Sequence, residues 1–149
     1  MNEELAQAAE RLALVLTSHG LQRMTARVLA ALLFTDQLSL TMRELGDQLQ
    51  ASSGAISGAL KTLGASGLVE RVPVPGSRRE HYRLRDDAWT VLYTHQNEAV
   101  AAMQSAAAEG IALAGADSPA GRRLAEMRDF YAFVFAEIPE LLERWAKRR

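Results

Sequence analysis

Between Leu40 and Leu84 two short amphipathic segments stand a tight turn apart and run directly into an alternating, turn-centred stretch with a basic tip. This order of parts limits the chain more than any other feature. The run TMRELGDQLQ places Met42, Leu45 and Leu49 at the i, i+3, i+7 spacing of one buried helical face. Gln50, Ala51 and Ser52 then make a connection of about the 3–4 residues that join two crossed helices. Ser53 or Ser52 is placed to cap the next helix, since a serine oxygen accepts from an otherwise unpaired first-turn N–H.

The second helix is expected from roughly Gly54 to Leu63. Ala55, Ile56, Ala59, Leu60 and Leu63 form its apolar side, and Ser53, Gly54, Ser57, Gly58, Lys61 and Thr62 leave the other side small and polar. Interior glycine costs about 1 kcal/mol relative to alanine, so Gly54 and Gly58 are unexpected on an ordinary surface helix and point to close approach or tight packing. Gly64 to Gly67 should stop the helix. LVERVPV and HYRLR then bracket PGSRRE, with Leu68, Val69, Val72, Tyr82 and Leu84 alternating with polar residues as in a half-buried hairpin. Pro75 and Gly76 are turn formers, Pro73 suits an edge strand, and Arg78 and Arg79 project from the tip. The whole reads as a winged helix-turn-helix. A small-residue helix face fits the B-DNA major groove, about 12 Å wide, with Ser, Thr and Lys reaching base edges or phosphates. Two guanidiniums on a loop fit phosphates or a narrow minor groove, the alternative being a merely solvated charge pair.

The run LTMRELGDQLQASSGAISGALKTLGASGLVERVPVPGSRREHYRL resembles the DNA-binding module of MarR-type regulators. The preceding GLQRMTARVLAALLFTDQ, with Gly20, Leu21, Arg23, Thr25, Ala26, Arg27, Val28 and Leu29, is similar to the GbsR-like branch. The resemblance spans about Gly20 to Arg85 and extends to the C-terminal part only in its helical layout. It implies a homodimeric transcriptional regulator whose recognition helix is Ser53 to Thr62 and whose wing carries Arg78 and Arg79. The DNA-contacting set is therefore Ser52, Ser53, Gly54, Ser57, Lys61, Thr62, Arg78 and Arg79. Lys61 is the single basic residue of that helix, which has no Arg, Asn or Gln for bidentate base contacts. Weight shifts to the wing, the helix N-terminus and DNA shape. The resemblance also implies repression by occlusion of a palindromic operator and a small-molecule effector between the dimerisation helices and the module. No residue cluster marks such a ligand; Trp89, Tyr93 and His95, where the long helix leaves the wing, are read as packing residues.

Charge placement agrees. The 149-residue chain has a net charge of −1, but positions 52–85 hold Lys61, Arg71, Arg78, Arg79, Arg83 and Arg85 against Glu70 and Glu80, a local +4. A basic patch on an otherwise acidic molecule is what positioning on phosphates requires.

The expected fold class is mainly α with a small β-hairpin wing, in one regulator domain over 1–149. Residues 20–85 form the winged module, and 1–19 and 86–149 a helical dimerisation region. Glu3 to Ser18 places Leu5, Ala8, Ala9, Leu12 and Leu16 on one stripe, ended by Gly20. A nearly all-apolar helix follows from Thr25 to Phe34. Asp86 or Asp87 could cap a long helix to about Ala114, with Trp89, Leu92, Gln96, Val100, Met103, Ala107 and Ile111 at spacings of three and four. GADSPAG breaks it, Ser118 as cap and Pro119 at the first helical position. Leu124, Met127, Tyr131, Val134, Phe135, Ile138, Leu141, Leu142 and Trp145 form the last apolar series, in which Pro139 kinks the helix or starts a new one. These helices hold more apolar stripe than the module can cover, which favours a homodimer over helices packing within a monomer.

The absence of cysteine excludes disulfides, thiolate metal sites and thiol redox sensing. His19, His81 and His95 stand apart, without HExxH, CxxC or a phosphate-binding Gly loop, and no G-x-S-x-G elbow surrounds Ser52 or Ser53. Neither an enzyme nor a cofactor is expected. No segment approaches about 18 uninterrupted apolar residues, and the acidic N-terminus lacks a signal-peptide charge pattern, so the expectation is a soluble cytoplasmic protein with no membrane partner. A winged-helix protein-interaction module, its basic wing incidental, is the alternative to double-stranded DNA binding.

Overall fold

A computed structural model describes residues 2–148, in two compact units that meet between Trp89 and Thr90. In the first unit α1 (Glu3–Ser18) starts on the Asn2 side chain, which accepts from the Leu5 amide. Gly20, at φ +108°, ends it: the Gly20 and Leu21 amides return to the carbonyls of Thr17 and Leu16, a Schellman closure that favours glycine. α2 (Arg23–Phe34) begins two residues before the expected Thr25 and is buried over most of its length. The two helices meet through Ala9, Ala13, Ala26 and Ala30, with Leu12, Leu16, Leu21 and Phe34 packed around them. Leu5, expected on the inner stripe, lies 40% exposed.

β1 (Leu40–Thr41) is not foreshadowed in the sequence pattern. Its two residues are too few to show an alternation, and they pair with the wing rather than with a sequence neighbour. Thr41 also caps α3 (Met42–Leu49): its hydroxyl accepts from the Glu44 amide while Glu44 accepts from the Thr41 amide, a complete capping box. Leu45 and Leu49 are buried; Met42 is half-buried. Gln50, in the left-handed region at φ +54°, turns the chain toward α4 (Ser53–Ala65). Ile56, Ala59, Leu60 and Leu63 of α4 enter the core against α2. Gly64 lies inside α4 and does not stop it; Gly67, at φ +80°, does, through a second Schellman closure from Leu68 to Leu63.

β2 (Val69–Val72) and β3 (His81–Leu84) form the expected hairpin, Val69 opposite Leu84 and Arg71 opposite Tyr82. The sheet is three-stranded and antiparallel in the order β1-β3-β2. β1 therefore ties the wing to the entrance of the helix-turn-helix.

α5 (Ala88–Ala114) starts directly after Asp87. The second unit comprises α5 from Thr90 on, α6 (Pro119–Phe135) and α7 (Ile138–Arg148). Ser118 caps α6, accepting from the Gly121 amide at 2.9 Å, with Pro119 as the first helical residue. Pro139 sits in the first turn of α7, a separate helix. Among the described residues of this unit only Ala107 and Gly121 are buried. Trp89 and Tyr93, read as packing residues, are each more than 40% exposed in the single chain, and His95 is exposed. Among the described residues, no helix is long and apolar enough to cross a membrane.

Candidate nucleic-acid interface

α4 is held by its apolar side, which turns Ser53, Gly54, Ser57, Gly58, Lys61 and Thr62 outward. The cap is Ser52, whose Oγ accepts from the Ala55 amide at 3.2 Å; Ser53 is the first helical residue. The amides of Ser53 and Gly54 thus open the helix on an exposed surface where an anion is favoured by free N–H groups and the helix dipole. A Cβ added at Gly54 or Gly58 would meet nothing within 4 Å. No packing among the described residues requires glycine there, and the two glycines leave this face of α4 smooth. Thr62 donates its hydroxyl to the Gly58 carbonyl at 3.2 Å, so it presents a methyl group and an acceptor rather than a free donor.

The tip of the wing is a turn over Val74-Pro75-Gly76-Ser77. The Ser77 amide donates to the Val74 carbonyl at 3.1 Å, and Gly76 has φ +81°, the geometry of a type II turn with proline second and glycine third. The Ser77 hydroxyl oxygen accepts from the Arg79 amide at 3.2 Å and lies 3.0 Å from His81 Nε2. The other ring nitrogen of His81 lies 3.2 Å from Ser39 Oγ. His81 therefore links the tip to the segment before β1, a structural use of a histidine that isolated sequence position does not show.

Ion pairing sorts the basic residues. Arg71 Nη1 reaches Glu80 at 2.7 Å, Arg83 Nη2 reaches Glu70 at 2.7 Å, and Arg85 Nε reaches Asp87 at 3.0 Å. The hydrogen bond to Glu70 raises the pKa of Arg83, and the bond to Asp87 does the same for Arg85, so both remain cationic. Lys61, Arg78 and Arg79, the basic residues assigned to the interface from sequence, are exposed and make no ion pair among the described residues. The three basic residues without ion pairs are thus displayed at the helix and the tip, and the paired ones lie along and just after the strands.

Between α4 and the wing runs a groove of about 420 Å³ lined by Ser57, Leu60, Lys61, Gly64, Arg71 and Tyr82 among others. Arg43, which sequence reasoning missed, is exposed in the first turn of α3 and shares a shallow depression with Arg79 and Glu80. It makes no ion pair among the described residues. Its position after the Thr41 cap could have signalled it, since the first helix of such a pair crosses the DNA backbone. No group of three or more His, Cys, Asp or Glu among the described residues could hold a metal ion.

Comparison with known proteins shows the family of the chain. Residues 19–80 match the MarR family model, and residues 87–148 match that of MmpR5-like MarR family transcriptional regulators. The chain is 34% identical over 146 residues to the HTH-type transcriptional regulator MmpR5 of Mycobacterium tuberculosis, covering 97% of this chain and 88% of that protein. A crystal structure of a transcriptional regulator superimposes with a TM-score of 0.86 at 32% identity, over 97% of this chain and 99% of the other. Apo MarR from E. coli is 25% identical over 62% of this chain and 70% of its own, with a TM-score of 0.45. The finer likeness of Gly20 to Leu29 to the GbsR-like branch is not repeated in these matches. The family consists of regulators, not enzymes. The chain belongs to the MarR family of winged-helix transcriptional regulators and is MmpR5-like.

Proposed function

We propose that the protein is a cytoplasmic repressor that binds double-stranded DNA as a homodimer and occludes a palindromic operator. The observation that carries this reading is the sorting of charge: Lys61, Arg78 and Arg79 are exposed and without ion pairs among the described residues, beside strand arginines that are each paired. α4 lies in the major groove with Ser57 and Lys61 toward base edges and Ser52, Ser53 and Gly54 toward phosphate, while Thr62 offers its methyl group and acceptor. Arg78 and Arg79 reach backbone or minor groove, and Arg43 adds a backbone contact.

The dimerisation surface comprises residues 1–19 and 86–149. Leu14 and Val15 on α1, Leu113 on α5 and Phe130 and Phe133 on α6 are all exposed in the single chain. A two-fold pair sets its recognition helices about one DNA turn, roughly 34 Å, apart, which requires a palindrome. A small-molecule effector regulates the dimer by binding two spacings of those helices unequally, since equal affinity shifts no equilibrium.

The test is fluorescence anisotropy on the protein's own upstream DNA and on a scrambled duplex across a salt series. Specific, salt-sensitive binding at two chains per site is expected. Arg78→Ala with Arg79→Ala should weaken binding to both duplexes and flatten the salt slope by about 2. Weak and equal binding to both duplexes at low salt would overturn the reading in favour of a protein-interaction module.

A further inference from the structure

Arg71 is the anomaly of the interface. It sits opposite Tyr82 in the hairpin and lines the groove beside α4 together with Ser57 and Lys61. Its side chain is 68% exposed, at the edge of that groove. Yet its Nη1 donates to Glu80 Oε1 at 2.7 Å, and the other oxygen of that carboxylate accepts from the Tyr82 hydroxyl at 2.7 Å. Glu80 is therefore held from both sides. These two bonds, that from Tyr82 foremost, keep its pKa below the ordinary carboxylate value, so it is ionised wherever duplex DNA is handled.

We propose that Glu80 is a charge mask that sets the non-specific DNA affinity of this regulator. The inference rests on the DNA-binding reading above. A phosphate contact strengthens binding to every sequence alike, each adding about 0.9 to the salt slope on B-DNA. Neutralising Arg71 confines that attraction to Lys61, Arg43 and the wing tip. An exposed ion pair contributes little to stability, which therefore does not account for the two-sided grip on Glu80. The geometry instead serves to hold Arg71 away from a polyanion.

Glu80→Gln keeps the size and the acceptor for Tyr82 while removing the charge. On the scrambled duplex it should bind roughly threefold or more tighter at low salt, with a slope steeper by about 0.9. In an Arg71→Ala background the same substitution should leave the slope unchanged, because the released cation is gone. An unchanged slope for Glu80→Gln alone, or the same steepening with and without Arg71, would overturn the mask. Loss of binding in Arg78→Ala with Arg79→Ala but no effect of Glu80→Gln would sink the mask and leave the DNA-binding reading standing. Failure of the unsubstituted protein to bind either duplex would sink both.

Discussion

Arg27 shows how one side chain joins three helices. Its Nε donates to Glu10 on α1 at 2.9 Å, and its Nη2 donates to the Leu49 carbonyl at 3.0 Å. The second contact places a cation at the C-terminus of α3, where the helix dipole favours it. The hydrogen bond from Arg27 is the main reason that the Glu10 pKa is lowered from its ordinary 4.5, against the opposing effect of burial. A carboxyl lowered on folding contributes stability that is fully present above 4.5 and is lost as pH falls through the lower folded-state value. Glu10 is partly solvated, so the contribution is at most about 1 kcal/mol at neutral pH. Glu10→Gln should be less stable than the unsubstituted protein at pH 7, and urea unfolding should show the gap closing at acid pH. A gap independent of pH would show that the charge is not its source.

At the scale of elements, the contact of α1 with α2 depends on small side chains. Ala13 is fully buried, and with Ala9, Ala26 and Ala30 it lets the two backbones approach closely. Sequence periodicity favours Leu5 for this stripe because a large apolar residue weighs more than an alanine, yet close helix packing selects the smaller one. Ala13→Leu should destabilise the protein by about 1–3 kcal/mol through overpacking. The same change at the exposed position Glu4 should stay within about 0.5 kcal/mol. Thermal melts of the two variants check this, and equal melting temperatures would mean that the interface is slack. The wing obeys a similar logic. Thr41 ends β1 and caps α3, so one residue fastens the sheet to the helix-turn-helix.

For the whole molecule, the second unit poses the main physical question. Helices in water gain most of their stability from packing an apolar face, yet Leu113 is 83% and Phe133 81% exposed in the single chain. Phe130 and Tyr131 form an edge-to-face pair and Tyr131 stacks on Phe135, so the aromatic side of α6 is ordered and largely uncovered. Contiguous exposed apolar surface of this kind marks an interaction site, and a second copy is the partner that the proposed function requires. Phe130→Glu with Phe133→Glu should yield a monomer by light scattering. Its affinity for a palindromic duplex should fall by about 100-fold or more, because the second half-site is no longer held at high effective concentration. A persistent dimer would place the interface elsewhere.

Local order is legible in the sequence. The Ser118-Pro119 start of α6, the glycine ending α1, a kink or restart at Pro139 and the hairpin about Pro75-Gly76 follow from backbone preferences over a few residues, which the sequence by itself determines; that Pro139 starts a separate helix is decided by the structure. The small polar face of α4 is legible for the same reason, since helical periodicity fixes which residues share a side. The pairing of β1 with β3, the alanine contact of α1 with α2 and the division of the basic residues into paired and unpaired sets are not. Each joins residues distant along the chain or across the hairpin, so it depends on register and helix approach. Only the closed tertiary structure decides those, by bringing Arg71 to Glu80 and leaving Lys61, Arg78 and Arg79 without ion pairs among the described residues.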